Sequence, residues 1–335
     1  MAIELSASEE TAVDHDFSVI DPHQHFWQLG HGHYPWLEEP AQISFRYGNY
    51  NSIRRSYLPQ DYRRDTAHVH VVQTVHIEAE CDRSWKFEET TWLGELSRTF
   101  GLPSACVAYA ALGGTDAEEV LARHATSSLV RGIREKPAAA ASAREARRGL
   151  PGSMDDPAWR RGYRWLSRHS FSFDLQTPWW HLDAAADLAR DFPDTTIVLN
   201  HTALPADRSA EGLAAWRLGL ELVAGAPNVA LKISGLGRPG PPWMLEANGP
   251  VIRDAISIFG SDRCMFASNY PVDSLVGSFD EIFACFLAAI ADRSPAEQRM
   301  LIHDNAKRIY RLDATRARSS VSVPPRGNNE PDAFP

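Results

Sequence analysis

The chain has 335 residues, of which 44% are hydrophobic and 23% are charged, a composition typical of a folded protein with a substantial buried core. Its formal net charge is −9 and no run of Lys or Arg stands clear of compensating acids, which argues against a nucleic-acid partner and favours a small molecule. Four scattered cysteines without Cys-x-x-Cys spacing, no basic-then-apolar leader and no apolar run of ~18 residues predict a cytoplasmic protein that does not enter a membrane.

The first predicted strand, near 18–22, leads into the most informative motif of the chain. This motif is Ile-Asp-Pro-His-Gln-His-Phe-Trp at 20–27, and it places His23 and His25 two residues apart. Alternate residues of a strand point the same way, so both imidazoles are expected to face one cavity, where they can grip a metal ion or polarise a carbonyl oxygen. Taken alone, the spacing is a weak signal, because a histidine buried in a core with its hydrogen bonds satisfied is the commoner explanation of any single His.

Apolar runs alternate with helical patterns along the rest of the chain. Further strands are predicted near 71–78, 105–111, 130–134, 171–176, 195–200, 228–234 and 263–268. Eight strands that alternate with helices predict an α/β fold, a single (β/α)₈ TIM barrel over 17–312, with a long aromatic-rich loop from 28 to 68 after the first strand. The polar termini, 1–16 and 313–335, are predicted to be disordered tails.

Three helices can be placed from local signals. One is predicted over 182–190 and ends before a proline. Another has apolar residues at helical spacing from 279 to 290, and Ser278 with Glu281 forms a capping box at its start. A third opens with Pro295 at its first helical position.

Polar side chains gather at the predicted carboxyl ends of six strands. They are His76, Glu78, Arg134, Gln176, His201, Lys232, Asn269, Tyr270 and Asp273. In a barrel these ends form the active face, and burying so many polar groups unpaired would cost several kcal/mol each. The sequence therefore predicts one polar substrate pocket, with Trp27 as an aromatic wall.

Structural roles are also open for several of these residues. Arg134 can pair with Glu135 or with an acid of a neighbouring strand, and Lys232 can form an ion pair inside the barrel. His76 and Glu78 can form a structural hydrogen-bonded pair on one strand. Trp27 can serve only to pack the core.

The chain resembles a known family at seven stretches: 20–27, 34–37, 131–134, 196–201, 228–235, 263–271 and 305–310. Through these stretches it is similar to the amidohydrolase superfamily, specifically the amidohydrolase-related branch. That branch includes 2-pyrone-4,6-dicarboxylate hydrolase and the sugar-acid lactonases that act on fuconolactone or rhamnonolactone. The resemblance implies a TIM-barrel hydrolase.

The resemblance also implies roles for three histidines. His23, His25 and His201 would hold a metal or polarise the scissile carbonyl directly, while an Asp at the end of the eighth strand would activate water. This chain has Asn269 there, and losing a general base is worth roughly 10²–10⁴ in rate. The fifth strand also ends in Gln176 where relatives carry a His ligand. We therefore expect no required cofactor, with zinc or another divalent metal on the three histidines as the alternative.

The predicted reaction is the opening of a lactone or cyclic ester of a small carboxylated or aromatic metabolite. The histidines would polarise the carbonyl and stabilise the oxyanion that forms when water attacks. Asp273, or the pair of His76 and Glu78, would take the proton from water. Arg134 and Lys232 would hold a substrate carboxylate or hydroxyl groups.

Two other functions are compatible with the same barrel. One is metal-assisted decarboxylation of an aromatic acid. The other is a catalytically silent barrel that binds a small ligand, because the usual base is missing. The sequence is also compatible with a homo-oligomer.

Overall fold

The chain folds into a barrel of eight parallel strands. The computed structural model describes residues 18–240 and 242–313, and in it each strand pairs with the next in sequence order. The strands are β1 (Val19–Gln24), β2 (Val71–Ile77), β3 (Ala105–Tyr109), β4 (Val130–Arg134), β5 (Ser172–Leu175), β6 (Ile197–Leu199), β7 (Val229–Ile233) and β8 (Cys264–Phe266). The predicted (β/α)₈ barrel and all eight of its strands are thus confirmed.

Helices follow the strands and cover the outside of the barrel. They are α1 (Pro35–Glu38), α2 (Pro59–Asp65), α3 (Lys86–Phe100), α4 (Ala117–Ala125), α5 (Pro157–Tyr163), α6 (Trp165–Arg168), α7 (Leu182–Asp191), α8 (Ala210–Ala224), α9 (Leu245–Phe259), α10 (Phe279–Ala289), α11 (Pro295–Arg299) and α12 (Asn305–Ile309). The three predicted helices are confirmed as α7, α10 and α11. In α10 the Ser278 hydroxyl accepts a hydrogen bond from the Glu281 N–H, while the Glu281 carboxylate accepts one from the Ser278 N–H at 2.7 Å.

The hydrophobic core has two layers because successive strand residues point to opposite faces. One face of each strand packs outward against the helices. The other face fills the barrel interior with a smaller apolar cluster, which includes Ile20, Val75, Ile77, Val107, Val198 and Met265. Ile309 and Tyr310, at and just after the end of α12, belong to the interior cluster, so the last described helix closes the barrel below.

The long loop between β1 and β2 is held together by aromatic side chains. The rings of Trp36 and Phe45 stack with centroids 5.9 Å apart, and Tyr50 lies 4.8 Å from Phe45. The indole N–H of Trp36 donates to the carbonyl oxygen of Ala79, just after β2, at 2.9 Å. These contacts fix the predicted insertion above the carboxyl ends of the strands.

The barrel closes at a seam between β1 and the segment that follows β8. The Asn269 N–H donates to the His23 carbonyl at 2.7 Å, and the His25 N–H donates to the Tyr270 carbonyl at 2.8 Å. Beside them, the fully buried carboxylate of Asp21 accepts the Ser268 hydroxyl at 2.6 Å and the Ser268 N–H at 3.0 Å. The hydroxyl of Tyr62 donates to the same carboxylate at 2.8 Å. Asp21 therefore fastens the seam.

None of the helices within residues 18–240 and 242–313 has the length and hydrophobicity that a membrane crossing requires. The predicted disordered tails lie outside the described residues, apart from Asp313. That residue forms an ion pair with Lys307 at 3.1 Å.

We predict that Asp21→Asn destabilises the fold by about 2–4 kcal/mol, because an amide N–H then faces donors that need an acceptor. Urea unfolding measures the loss. Tyr62→Phe is the matched control, since it removes one donor and leaves the carboxylate, and it should cost about 1 kcal/mol. Equal stability of Asp21→Asn and the wild type would contradict the role of Asp21 at the seam.

Candidate active site

Three histidines converge at the carboxyl ends of the strands, as the sequence predicts. His23 lies within β1, His25 directly follows β1, and His201 follows β6. The ring centroid of His23 is 5.1 Å from that of His25 and 4.5 Å from that of His201. All three side chains are buried, and neither ring nitrogen of His23 has a hydrogen-bond partner.

The hydrogen bonds of His25 fix its tautomer. Its Nδ1 lies 2.8 Å from the carbonyl oxygen of Ile77, which can only accept, so the proton of a neutral ring sits on Nδ1. Its Nε2 then carries a lone pair and lies 3.3 Å from Oδ1 of Asn269. The other end of that amide donates to the Asp273 carboxylate at 2.6 Å, which orients Oδ1 toward His25. Two acceptors thus face each other.

Asp273 is held from three sides. Besides the Asn269 amide, the Tyr47 hydroxyl donates to its carboxylate at 2.9 Å, and Arg46 lies 3.5 Å away. Burial raises the pKa of Asp273, while Arg46 and these hydrogen bonds oppose that shift. Arg46 and Tyr47 come from the long first loop. The sequence analysis missed both, because its only signal was the aromatic-rich composition of that loop.

Two of the converging residues have an uncommon backbone conformation. His201 has φ 53° and Asn269 has φ 56°, in the left-handed region that costs most residues of order 1–3 kcal/mol. Asn and His enter this region more readily than other residues that carry a Cβ. The chain therefore turns sharply after β6 and β8, and these turns place both side chains at the cavity.

Gly235, just after β7, leaves the space in which Arg46 and His201 approach each other. It has φ +61°, and a Cβ there would lie 2.5 Å from Nη2 of Arg46 and 2.8 Å from Nδ1 of His201. The His201 Nδ1 also lies 3.0 Å from the hydroxyl of Ser234. Any side chain at position 235 would displace Arg46 or His201.

Arg134 is already paired with a carboxylate. Its Nε donates to Oε1 of Glu78 at 2.8 Å and its Nη1 to Oε1 of Gln176 at 3.2 Å. Burial alone would raise the pKa of Glu78, but Arg134 and Arg83 lower it to about 2. Arg134 thus forms a structural ion pair, but its partner Glu78 follows β2, which lies two strands from β4 in the barrel and not next to it.

His76 and Glu78 do not form the hydrogen-bonded pair that was one alternative. The ring of His76 is fully buried, its Nδ1 accepts the Phe26 N–H at 3.0 Å, and its Nε2 lies 3.7 Å from the carboxylate of Glu89. Glu78 instead binds Arg134. Although the two residues share a strand face, each finds a partner on another element.

Lys232 lies inside the barrel. Its ammonium is fully buried and donates to Asp174 at 2.5 Å, and the Tyr310 hydroxyl donates to the same carboxylate oxygen at 2.9 Å. Burial lowers the pKa of Lys232 to about 8. This is the structural ion pair that the sequence left open.

Trp27 and Tyr270 are buried beside the cavity. The indole N–H of Trp27 donates to the Arg55 carbonyl at 2.6 Å, and the Tyr270 hydroxyl donates to the Gly277 carbonyl at 3.0 Å. Both polar groups are thereby used within the protein. The packing alternative for Trp27 fits this position.

A cavity of about 260 Å³ opens above the histidines. Five of the predicted site residues line it: His25, Arg134, Gln176, His201 and Asn269. Residues that the sequence analysis did not select complete the wall, including Trp36, Phe45, Arg46, Glu80 and Lys136. The other predicted residues, His23, Trp27, His76, Glu78, Lys232, Tyr270 and Asp273, lie behind this lining.

The three histidines are also the candidate ligands for a metal. The two unpartnered nitrogens of buried His23 favour such a role. Against it, no group of three or more His, Cys, Asp or Glu side chains among the described residues converges as metal ligands do. Asn269 adds only a neutral oxygen where an anionic ligand would hold a divalent ion tightly. A metal at this position would therefore be held by the imidazoles of His23, His25 and His201, with no carboxylate from position 269.

A (β/α)₈ barrel with histidines after β1 and β6 and further polar groups at the same end places the chain among TIM-barrel hydrolases. The family model for amidohydrolases matches residues 20–312, and the chain belongs to this family. The predicted resemblance is confirmed.

Relatives cover nearly the whole chain. An uncharacterized protein of Sinorhizobium fredii is 37% identical over 297 residues, which are 89% of this chain and 99% of that protein. An L-fucono-1,5-lactonase of Burkholderia ambifaria is 29% identical over 300 residues, 88% of this chain and 96% of the lactonase. The crystal structure of a Burkholderia multivorans amidohydrolase with bound zinc superposes with a TM-score of 0.74 at 25% identity, covering 88% and 99% of the two chains. The chain is accordingly a hydrolase of the amidohydrolase family.

The buried histidines predict an acid-sensitive fold. Burial, with smaller contributions from Arg134 and His76, lowers the pKa of His25 to about 3. The unfolded chain binds this proton below pH ~6.5 and the folded chain does not until pH ~3, so the His25 contribution is complete above pH ~6.5 and falls by about 1.4 kcal/mol per pH unit below it. Burial lowers the pKa of His23 and His201 in the same direction.

Urea unfolding at pH ~7.5 and pH ~5.5 tests this prediction. Between these two pH values the free energy of unfolding of His25→Gln should fall by about 1.4 kcal/mol less than that of the wild type. His68→Gln is the matched control, because it makes the same substitution at an exposed histidine, which pairs with Asp280 at the surface. An identical decline in the wild type and His25→Gln would contradict the neutral state of His25.

Proposed function

We propose that the protein opens a small lactone or cyclic ester by attack of water in the cavity lined by His25, His201 and Asn269. Membership of the amidohydrolase family and the similarity to an L-fucono-1,5-lactonase support this function. The cavity, about 260 Å³, suits a substrate of one ring with small substituents.

The facing acceptors of His25 and Asn269 carry the proposal. A lone pair on Nε2 and the amide oxygen 3.3 Å away both need a hydrogen from a third molecule. A water molecule at the cavity wall satisfies both, and this leaves its own lone pair directed at a carbonyl carbon. His25 takes one proton as water attacks, and Asn269 orients the other O–H.

Two donors face the carbonyl oxygen in this arrangement. The Ser234 hydroxyl can donate to Nδ1 of His201, which leaves the proton of that ring on Nε2. The guanidinium of Arg134 also lines the cavity and is held in place by Glu78. Together they would stabilise the negative charge of the tetrahedral intermediate, a role in which one donor is usually worth about 10²–10³ in rate.

His25 accepts the proton because the other predicted bases are already occupied. The Asp273 carboxylate binds Asn269 and Tyr47, and that of Glu78 binds Arg134. We assign Asp273 a positioning role, since it orients the Asn269 amide and its charge stabilises the imidazolium formed at His25. His25 then returns the proton to the leaving oxygen as the ring opens.

The low pKa of His25 limits the substrates that this mechanism can use. An imidazole with a pKa of about 3 is a weak base, so most of the activation must come from the donors at the carbonyl oxygen and from the leaving group. An activated cyclic ester, such as one whose leaving oxygen becomes a stable alkoxide or enolate, fits this site better than an unactivated ester.

We predict that lactone opening is abolished by His25→Ala and by His201→Ala while the fold is retained. Each variant should lose at least about 10²-fold in kcat, since both side chains act on developing charge. The assay follows acid release from L-fucono-1,5-lactone, a rhamnonolactone and 2-pyrone-4,6-dicarboxylate with a pH indicator. His68→Ala is the control, because that histidine is exposed and pairs only with Asp280.

The same preparations separate the alternatives. Release of CO₂ from aromatic acids would establish the decarboxylase instead, and binding without turnover would establish the silent barrel. Activity that survives exhaustive chelation, with less than one metal per chain by elemental analysis, is expected from the neutral ligand set. Activity that disappears on chelation and returns with zinc would overturn the metal-independent mechanism.

We predict that Asn269→Asp lowers kcat on the true lactone substrate, because a second carboxylate beside Asp273 repels it and one of the two must bind a proton. Asp tolerates the left-handed backbone as Asn does, so the fold should survive. Asp273→Asn should also lower kcat, since it releases the Asn269 amide. A rate increase in Asn269→Asp together with an unchanged rate in Asp273→Asn would show that the usual carboxylate base had merely been lost.

A further inference from the structure

A second cavity, of about 360 Å³, adjoins the first on the far side of Arg46. Arg46 lines both cavities, and Gly235 lines the second while its Cα lies close to His201 of the first. The floor of the second cavity includes Arg208, from the segment between β6 and α8. The proposed function makes no use of this space.

Arg208 has unsatisfied hydrogen-bonding capacity inside the protein. Its Nη2 donates to the Leu236 carbonyl at 3.2 Å and reaches the Asn248 amide oxygen at 3.5 Å. Its Nε and Nη1 are buried and lack a partner. Within the part of the chain that the structure describes, no carboxylate lies within ion-pair distance of Arg208, whereas Arg134 is paired with Glu78. A half-buried guanidinium without a counter-charge is favoured when a ligand supplies one.

The charges around the second cavity all have the same sign. Arg46, Arg208 and Arg238 line it, and no acidic side chain does. Burial, followed by repulsion from Arg238, lowers the pKa of Arg208 to about 10. A bound anion would relieve both effects. Apolar walls from Trp180 and Leu204 suit a carbon skeleton attached to that anion.

We propose that the cavity at Arg208 binds a carboxylate on an apolar or ring-shaped body, and that it holds the acidic substituent of the substrate. The claim that this site holds the acidic substituent of the substrate rests on the proposed function, because that function places the reacting ring in the neighbouring cavity. The donors for that carboxylate would be the guanidinium groups of Arg46, Arg208 and Arg238, which all line the cavity.

Direct binding tests the site without any turnover. Benzoate should bind the wild type in isothermal titration calorimetry, while benzamide, its neutral counterpart, should bind much more weakly. Arg208→Gln should weaken benzoate binding by about 10- to 100-fold, since hydrogen bonds to a charged group are worth about 1.5–3 kcal/mol. Arg217→Gln is the matched control on α8, where Arg217 pairs with Asp254 at the surface.

A second variant guards against misfolding of the first. Ala206→Trp fills the cavity and keeps Arg208, and it should also weaken benzoate binding while circular dichroism stays unchanged. Benzoate affinity that is equal in the wild type and Arg208→Gln, or absent from the wild type, would overturn the site. Binding of inorganic phosphate but not benzoate would overturn the carboxylate assignment.

Kinetics then tests the link to the substrate. Arg208→Gln should lower kcat/KM for a carboxylated lactone by the same factor as it weakens benzoate binding. If benzoate binds at Arg208 but no lactone is opened, the anion site stands and the proposed function fails. If lactones are opened and their carboxylates contribute nothing through Arg208, the proposed function stands and the substrate assignment is overturned.

Discussion

Closure of the barrel between β1 and β8 is the constraint on which the site depends. The carboxylate of Asp21 collects donors from Ser268 and Tyr62, and so ties the first strand to the segment after the last one. That closure places His25 beside Asn269, although 244 residues separate them in the chain. A barrel open at this seam would still contain both side chains but would lose the facing acceptors. Stability and chemistry are thus linked through one buried carboxylate.

A single electrostatic rule accounts for much of the interior. Burial lowers the pKa of His23, His25 and His201, and the charges of Lys232, Arg134 and Arg46 lower it further. Neutral imidazoles keep a lone pair at any ordinary pH, which charged ones would lack. The carboxylates of Asp174 and Glu78 in turn compensate Lys232 and Arg134. Burial therefore favours the neutral histidines, and the buried cations and their carboxylate partners contribute to the same effect.

The sequence predicted the local structure better than the partnerships. The strands, the capping box of α10 and the pairing of His23 with His25 follow from patterns a few residues long, because alternation and capping act locally. The position of His201 beside them was expected from the barrel fold and the family resemblance. Hydrogen bonds and ion pairs between distant parts of the barrel do not follow from such local patterns. Arg46 and Tyr47 reach Asp273 because of the path taken by a loop some 226 residues earlier in the chain. No local pattern encodes that path.

Pairing choices failed for a related reason. His76 and Glu78 share a strand face, and alternation alone suggests that they interact. In the structure Glu78 binds Arg134 of β4, two strands away, and His76 lies near Glu89 of α3, since these elements bring better-placed partners. The sequence likewise could not predict that Arg208 lacks a carboxylate partner, because this depends on the residues that surround it in the fold.

Tyr310, just after α12, affects the charged groups at the opposite end of the barrel. Its hydroxyl binds Asp174, which binds Lys232, whose charge reaches His23. Removing the chain from position 310 onward would leave every cavity-lining residue in place and yet loosen the buried carboxylate that balances Lys232. A truncation or a fusion junction placed there would therefore change the electrostatic environment of the histidines without contacting any residue that lines the cavity.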